Sequence, residues 1–123
     1  MEVKRLKVGD LDSVNLWDAF VFSNSNATFF HRAGWQSIIN NVFNHPTYFF
    51  YIETAGVVQG ILPLAHVKSF LFGNSLVSLP FAVYGGVVAV DDEIAMALEH
   101  AAQELAIRLN VDHLEFRNLS QRH

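Results

Sequence analysis

The segment "TYFFYIETAGVVQGILPLAHV", Thr47 to Val67, restricts the fold of this chain more than any other stretch. Thr47 to Thr54 is dense in aromatic and β-branched residues, the types that fit a pleated surface. Ala55-Gly56 makes a tight connection, and Val57 to Val67 then reads as an antiparallel partner strand. Pro63 cannot donate to a ladder, so it should mark an edge, an end or a bulge within that second strand.

The periodicity changes on either side of this hairpin. Val3 to Val8 predicts a short first strand, ended by Gly9-Asp10. Asp12 or Ser13 can cap a helix whose buried stripe is Val14, Trp17, Phe20 and Val21. Ser23 to Asn26 reads as a polar loop. Thr28 is the expected cap of a second helix carrying Trp35, Ile38, Ile39, Val42 and Phe43, which Asn44-His45-Pro46 stops. Downstream, a turn around Phe72-Gly73-Asn74 should join Ser69–Phe72 to Ser75–Leu79, and Val87 to Val90 suits another short strand. Ile94, Leu98, Ala101, Ala102, Leu105, Ala106 and Leu109 then trace one face of a long helix. Asp91, Asp92 and Glu93 lie at its start and Arg108 near its end, as the helix dipole favours. Asn110 terminates it, and His113 to Arg117 reads as a last strand.

The expected fold class is therefore α/β (α+β): a mixed, mainly antiparallel sheet with flanking helices, in which the last strand returns through a helical crossover. The expected sheet is incomplete, because the last strand leaves an edge that another subunit or further polypeptide would pair.

With 123 residues, the chain suits one domain. Eleven Phe and an apolar fraction of 51% exclude disorder, and leave enough apolar surface that some can face a partner. Net charge is -4. Lys4, Arg5 and Lys7 cluster at the start, whereas Lys68, Arg108 and Arg117 are widely spaced. Without a basic stripe, nucleic-acid binding through this segment is not expected. The absence of Cys excludes disulfides and thiol chemistry. No apolar run suits a signal peptide or a membrane span, so the cytoplasm is the expected location. The glycosylation patterns at Asn26 and Asn118 are read as chance matches on the same ground.

Most chemical motifs are missing. His31, His45, His66, His100, His113 and His123 show no metal-binding spacing, so no metal is expected, and dispersed surface or boundary positions account for them. His100, beside Ala101, should border the packed face of the long helix. No G-x-S-x-G elbow exists. Asp91 to Glu93 read as a polar first turn, and Gly85-Gly86 lacks the lysine of a phosphate loop. What remains is the run "SLPFAVYGGVVAVDDE", Ser78 to Glu93. Two adjacent glycines allow a sharp bend or close approach to the backbone, beside the rigid rings of Phe81 and Tyr84. Phe81, Tyr84, Gly85 and Gly86 are the candidate substrate-binding residues. Residue types leave a second account open, in which the same run is a turn that covers core.

The segments "FFHRAGWQSIINNVFNHPTYFFYIE", "GILPLAHVKSFLFGNSLVSLPFAVYGGVVAVD" and "LAIRLNVDHLEFRN" resemble the N-terminal part of the FemAB-like proteins. These are a branch of the GNAT (acyl-CoA N-acyltransferase) superfamily, and the similarity is greatest to members associated with PEP-CTERM exopolysaccharide systems. The order of "LPL", "SFLFG" and "SLPF" with a following "YGG" is the specific part. The resemblance implies a GNAT-like fold, with residues 1–123 forming a single domain at the N-terminal part of a longer protein. Fem-group members transfer aminoacyl groups, often from aminoacyl-tRNA, to an amine on a peptidoglycan precursor. It thus implies an aminoacyl or acyl transferase acting on a peptide or amine of the cell envelope or of exopolysaccharide synthesis. Its rivals are a non-catalytic scaffold or partner-binding domain, and an acetyltransferase with a degenerate cofactor loop. A homodimer mate or a C-terminal domain is the expected partner at the open edge. GNAT enzymes that use acetyl-CoA carry an R/Q-x-x-G-x-G/A loop, and "VVAVDDEIAMAL" has none of those glycines, so no cofactor is expected at this junction.

Overall fold

The computed structural model describes residues 2–24, 27, 31–42, 44–69, 73–78 and 86–115. In chain order the elements are β1 (Lys4–Arg5), α1 (Leu11–Ser23), α2 (Gly34–Asn41), β2 (Thr47–Thr54), β3 (Val57–Ser69), β4 (Gly73–Ser78), β5 (Val88–Ala89), α3 (Asp92–Leu109) and β6 (His113–Glu115). The sheet runs β1-β2-β3-β4-β6, with β5 also paired to β3. All its pairings are antiparallel except β4 with β6, which is parallel and is reached through α3. The expected mixed, mainly antiparallel sheet with flanking helices and a helical crossover is the observed architecture.

The aromatic hairpin lies at its centre. Thr54 pairs with Val57, and the two residues between them, Ala55 and Gly56, both have positive φ (53° and 80°). That combination gives the tight mirror-image turn whose twist matches the strands it joins. Side chains on β2 and β3 alternate between two cores, as the two-residue period of a strand requires. Phe49, Tyr51, Ile61 and Ala65 face α1 and α2, where they meet Trp17, Phe20, Val21 and Ile39. Phe50, Ile52, Leu62 and Leu64 face α3 and meet Ile94, Leu98, Ala102 and Leu105. Both faces are covered, which explains why these strands are apolar almost without interruption.

Local signals set the helix ends. Asp10, rather than Asp12 or Ser13, caps α1, its carboxylate accepting the Ser13 N–H at 3.3 Å. Asp91 caps α3 by accepting the Ile94 N–H at 2.8 Å. At the other end of α3, Asn110 takes the left-handed conformation. Its N–H reaches Ile107 O and that of Val111 reaches Ala106 O, the paired bonds of a Schellman stop. For α2 the expectation needs correction. The helix begins at Gly34, and Ala33 precedes it with no side-chain cap of its own. The predicted cap, Thr28, and Phe43 lie outside the described residues. Ile38 and Val42 are exposed while Gln36 is buried, because Gln36 Nε2–H donates to the Leu6 carbonyl at 2.8 Å. The hairpin after β3 also differs: β3 runs unbroken to Ser69, which pairs with Gly73, so no separate strand starts at Ser69.

Pro63 stands at mid-strand, opposite Phe49. On its other flank β3 pairs with β5 at Gly60 and Ile61, and with β4 from Leu64 onward.

At Gly60 the sheet lies close against α3. A Cβ there would lie 2.5 Å from Ile94 Cγ2, 3.0 Å from Leu98 Cδ1 and 3.1 Å from Ala89 Cβ. The Ile94 methyl branches at Cβ and cannot swing away without changing its helical rotamer. Gly60→Ala is therefore expected to destabilise the domain by roughly 1–3 kcal/mol, the usual cost of overpacking, seen as a lower midpoint in chemical denaturation. An unchanged midpoint would show that α3 does not press on the sheet at this point.

Candidate functional site

The Tyr-Gly-Gly run lies in the chain between β4 and β5, both of which pair with β3. Ser78, the last residue of β4, is opposite Leu64, and Val88, the first of β5, is opposite Ile61. Two residues of β3, Leu62 and Pro63, span that interval, while nine residues, 79–87, span it on the other strand. The two described ends of the connection are firmly placed: Ser78 and Gly86 are both buried. Of the four candidate substrate-binding residues, Phe81, Tyr84 and Gly85 lie outside the described residues. Gly86 is the one whose surroundings are defined.

Gly86 is held by a histidine. His31, 1% exposed, directs its imidazole at the Gly86 carbonyl with Nε2 2.9 Å from the oxygen. A carbonyl only accepts, so Nε2 carries the hydrogen. The backbone around His31 is itself tied to α1. Trp17 Nε1–H donates to the His31 carbonyl at 2.6 Å, and Ala33 N–H donates to Asp18 Oδ1 at 2.8 Å. Trp17 in turn stacks on Phe49, with ring centroids 5.3 Å apart, and meets Tyr51 edge-on. The entry of α2, the face of α1 and the entry of β5 thus converge on one buried imidazole.

The histidine expectation is corrected here. His31 and His66 are core residues rather than surface or boundary ones. His66 Nε2 is bonded to Asn74 Oδ1, and Asn74 also receives the Asp112 N–H on its carbonyl at 2.7 Å. That network joins β3, β4 and the approach to β6, and it borders a cavity of about 330 Å³ lined by Asn44, His45, Pro46, His66 and Lys68. His100, expected at the border of the packed face, is exposed and lies 3.4 Å from Glu104 one turn on. Among the described residues, no three His, Asp or Glu side chains come close enough to hold a metal ion. Sequence reasoning missed His31 for a plain reason: its partner is 55 positions away, and nothing nearby announces the contact.

The start of α3 has little to offer an anion. Asp91 turns its own carboxylate onto the helix N-terminus, and exposed Asp92 and Glu93 follow. Those charges occupy the end where a phosphate would need backbone N–H groups and positive potential.

The chain matches no protein-family profile and no curated protein sequence. The architecture is a mainly antiparallel sheet flanked by helices and closed by a parallel crossover. Among solved structures the chain is similar to the crystal structure of FemX, with TM-score 0.56 and 21% sequence identity. The match covers 90% of this chain and 25% of that one, so the chain spans about a quarter of FemX. No helix among the described residues is long and apolar enough to cross a membrane.

Burial lowers the His31 imidazole below its ordinary value of 6.5, and the hydrogen bond to Gly86 opposes that shift in part. The unfolded chain therefore binds this proton more readily than the native one. Stability from this group is complete above pH 6.5 and declines as pH falls below it, until the native imidazole itself protonates. His31→Gln should flatten that part of the pH dependence when denaturation midpoints are compared between about pH 8 and 5. An equal slope in wild type and variant would show that His31 is not the group responsible.

Proposed function

We propose that this chain is a domain of a Fem-like aminoacyl or acyl transferase, acting on an amine of a peptide from the cell envelope or from exopolysaccharide synthesis. The observation that carries the reading is the likeness of the fold to FemX over 90% of this chain. In the sequence, the paired glycines Gly85-Gly86 suit backbone groups that orient an acyl donor or stabilise a developing oxyanion. Tyr84 supplies a hydroxyl to orient the substrate or donate a proton, and Phe81 an apolar wall. The FemX fold match and the resemblance of the "LPL", "SFLFG" and "YGG" segments to the FemAB-like proteins support this choice over other acyl-transfer chemistry. The carboxylates at the start of α3 disfavour acetyl-CoA as the donor. On this reading the chain is one domain's share of a longer catalyst.

Transfer of an aminoacyl group to a lysine-bearing cell-wall peptide, assayed in the longest natural polypeptide that carries this chain, tests the proposal. Tyr84→Phe is expected to lower turnover at least about tenfold, and Gly86→Ala to do the same. Full turnover in both variants removes these residues from the chemistry.

A second reading is favoured by one surface. Among the described residues β6 is paired on one side only, by β4. Next to it Ala106, Ile107, Asn110, Val111, Asp112 and Leu114 line an apolar groove of about 390 Å³, with Ile107 79% exposed. A partner-binding domain would use this edge to add a strand from another chain. On that reading the chain has the mass of a dimer in solution at micromolar concentration, and Ile107→Lys returns it to monomer. A monomeric mass in the wild type excludes self-pairing.

A further inference from the structure

We propose that the cavity beside the His66 network is a binding site for the phosphate group of a small phosphate ester. The residues that line it are not those of the transferase reading, so the site stands or falls independently of that reading.

Nitrogen dominates the lining. Around this space of about 330 Å³, Asn44, His45, His66 and Lys68 all carry side-chain nitrogen, the remaining residue is Pro46, and no Asp or Glu is among them. Asn44 and Lys68 are exposed, and neither side chain makes a hydrogen bond or ion pair among the described residues. The carbonyls that would repel an anion here are already engaged. Ile39 O accepts the His45 N–H at 3.1 Å, and Pro46 O accepts the His66 N–H at 2.9 Å. The buried His66 has one ring nitrogen committed. Asn74 Nδ2 donates to Asn110 O at 3.2 Å, so the amide turns Oδ1 to the imidazole and Nε2–H donates to it. Nδ1 is the nitrogen left for a ligand. Asp112, the carboxylate of that network, accepts the Asn74 N–H at 3.4 Å and does not line the cavity.

These groups select among anions. Lys68 is a point charge with donors that rotate freely, and no Arg lines the cavity to meet a planar carboxylate with its fork. A phosphate accepts from several directions at once, and its monoanion also carries an O–H. His66 Nδ1 therefore finds a partner in it whether or not that nitrogen holds a hydrogen. The volume lies in the range of small-ligand pockets and exceeds what a bare ion needs, which leaves room for the esterified group.

The test is a magnetic-resonance titration of the longest natural polypeptide that carries this chain, isotopically labelled at the histidine nitrogens. Inorganic phosphate and glycerol phosphate are added in turn at about pH 6, where the phosphate monoanion is well populated, against potassium chloride of matched ionic strength. The ring signals of His45 and His66 are expected to shift saturably with both phosphates, glycerol phosphate binding at least as tightly. The signal of His100, exposed on α3, is expected to stay. Lys68→Gln, at an exposed position, is expected to weaken binding about tenfold, as loss of a charge-assisted hydrogen bond does. Arg108→Gln, on the exposed side of α3, is expected to leave binding unchanged. Shifts that never saturate, that chloride reproduces, or that Lys68→Gln does not weaken overturn the proposal. Saturation with inorganic phosphate but not with glycerol phosphate overturns the assignment to an ester.

Discussion

Burial of β2 and β3 on both faces is the constraint on which the rest of this domain depends. A strand pair covered on one side only could slip or bend with little penalty. Here a one-residue slip would exchange Phe49 and Tyr51 with Phe50 and Ile52, sending each set into the wrong core. The register is therefore held by two cores at once. The helices take their places from it: α1 and α2 cover one face, α3 the other, and Gly60 removes a side chain so that α3 can approach.

Beside that centre, β3 pairs with β5 at Gly60 and Ile61 and with β4 from Leu64 to Ser69. β2 pairs along its other flank, both faces are packed, and His31 ties the Gly86 carbonyl, just before β5, to the helical layer.

Much of the architecture was legible in order along the chain. The β2–β3 hairpin, the stripe of α3 and the return of the last strand followed from local composition and period, because each is dictated by neighbours within a few residues. The bounds of α2 were less legible. Its anchoring uses a glutamine reaching Leu6 and an aspartate from α1, contacts that leave no periodic trace. The candidate site was legible in part. Gly86 stood out as a paired glycine after an aromatic, yet His31 looked like one of six scattered histidines. Phe81, Tyr84 and Gly85 rest on the sequence argument alone.

The sequence by itself determined the element types, the central hairpin, the stop of α3 at Asn110 and the acidic character of that helix's first turn. These depend on short-range rules: side-chain period, backbone preference and hydrogen bonds to nearby peptides. Only the tertiary structure decided that a glutamine of α2 holds the Leu6 carbonyl, and that an imidazole near α2 holds a carbonyl near β5. Both facts join residues far apart in the chain. Such contacts are selected by the three-layer packing of the sheet, which brings those residues together and excludes water from between them.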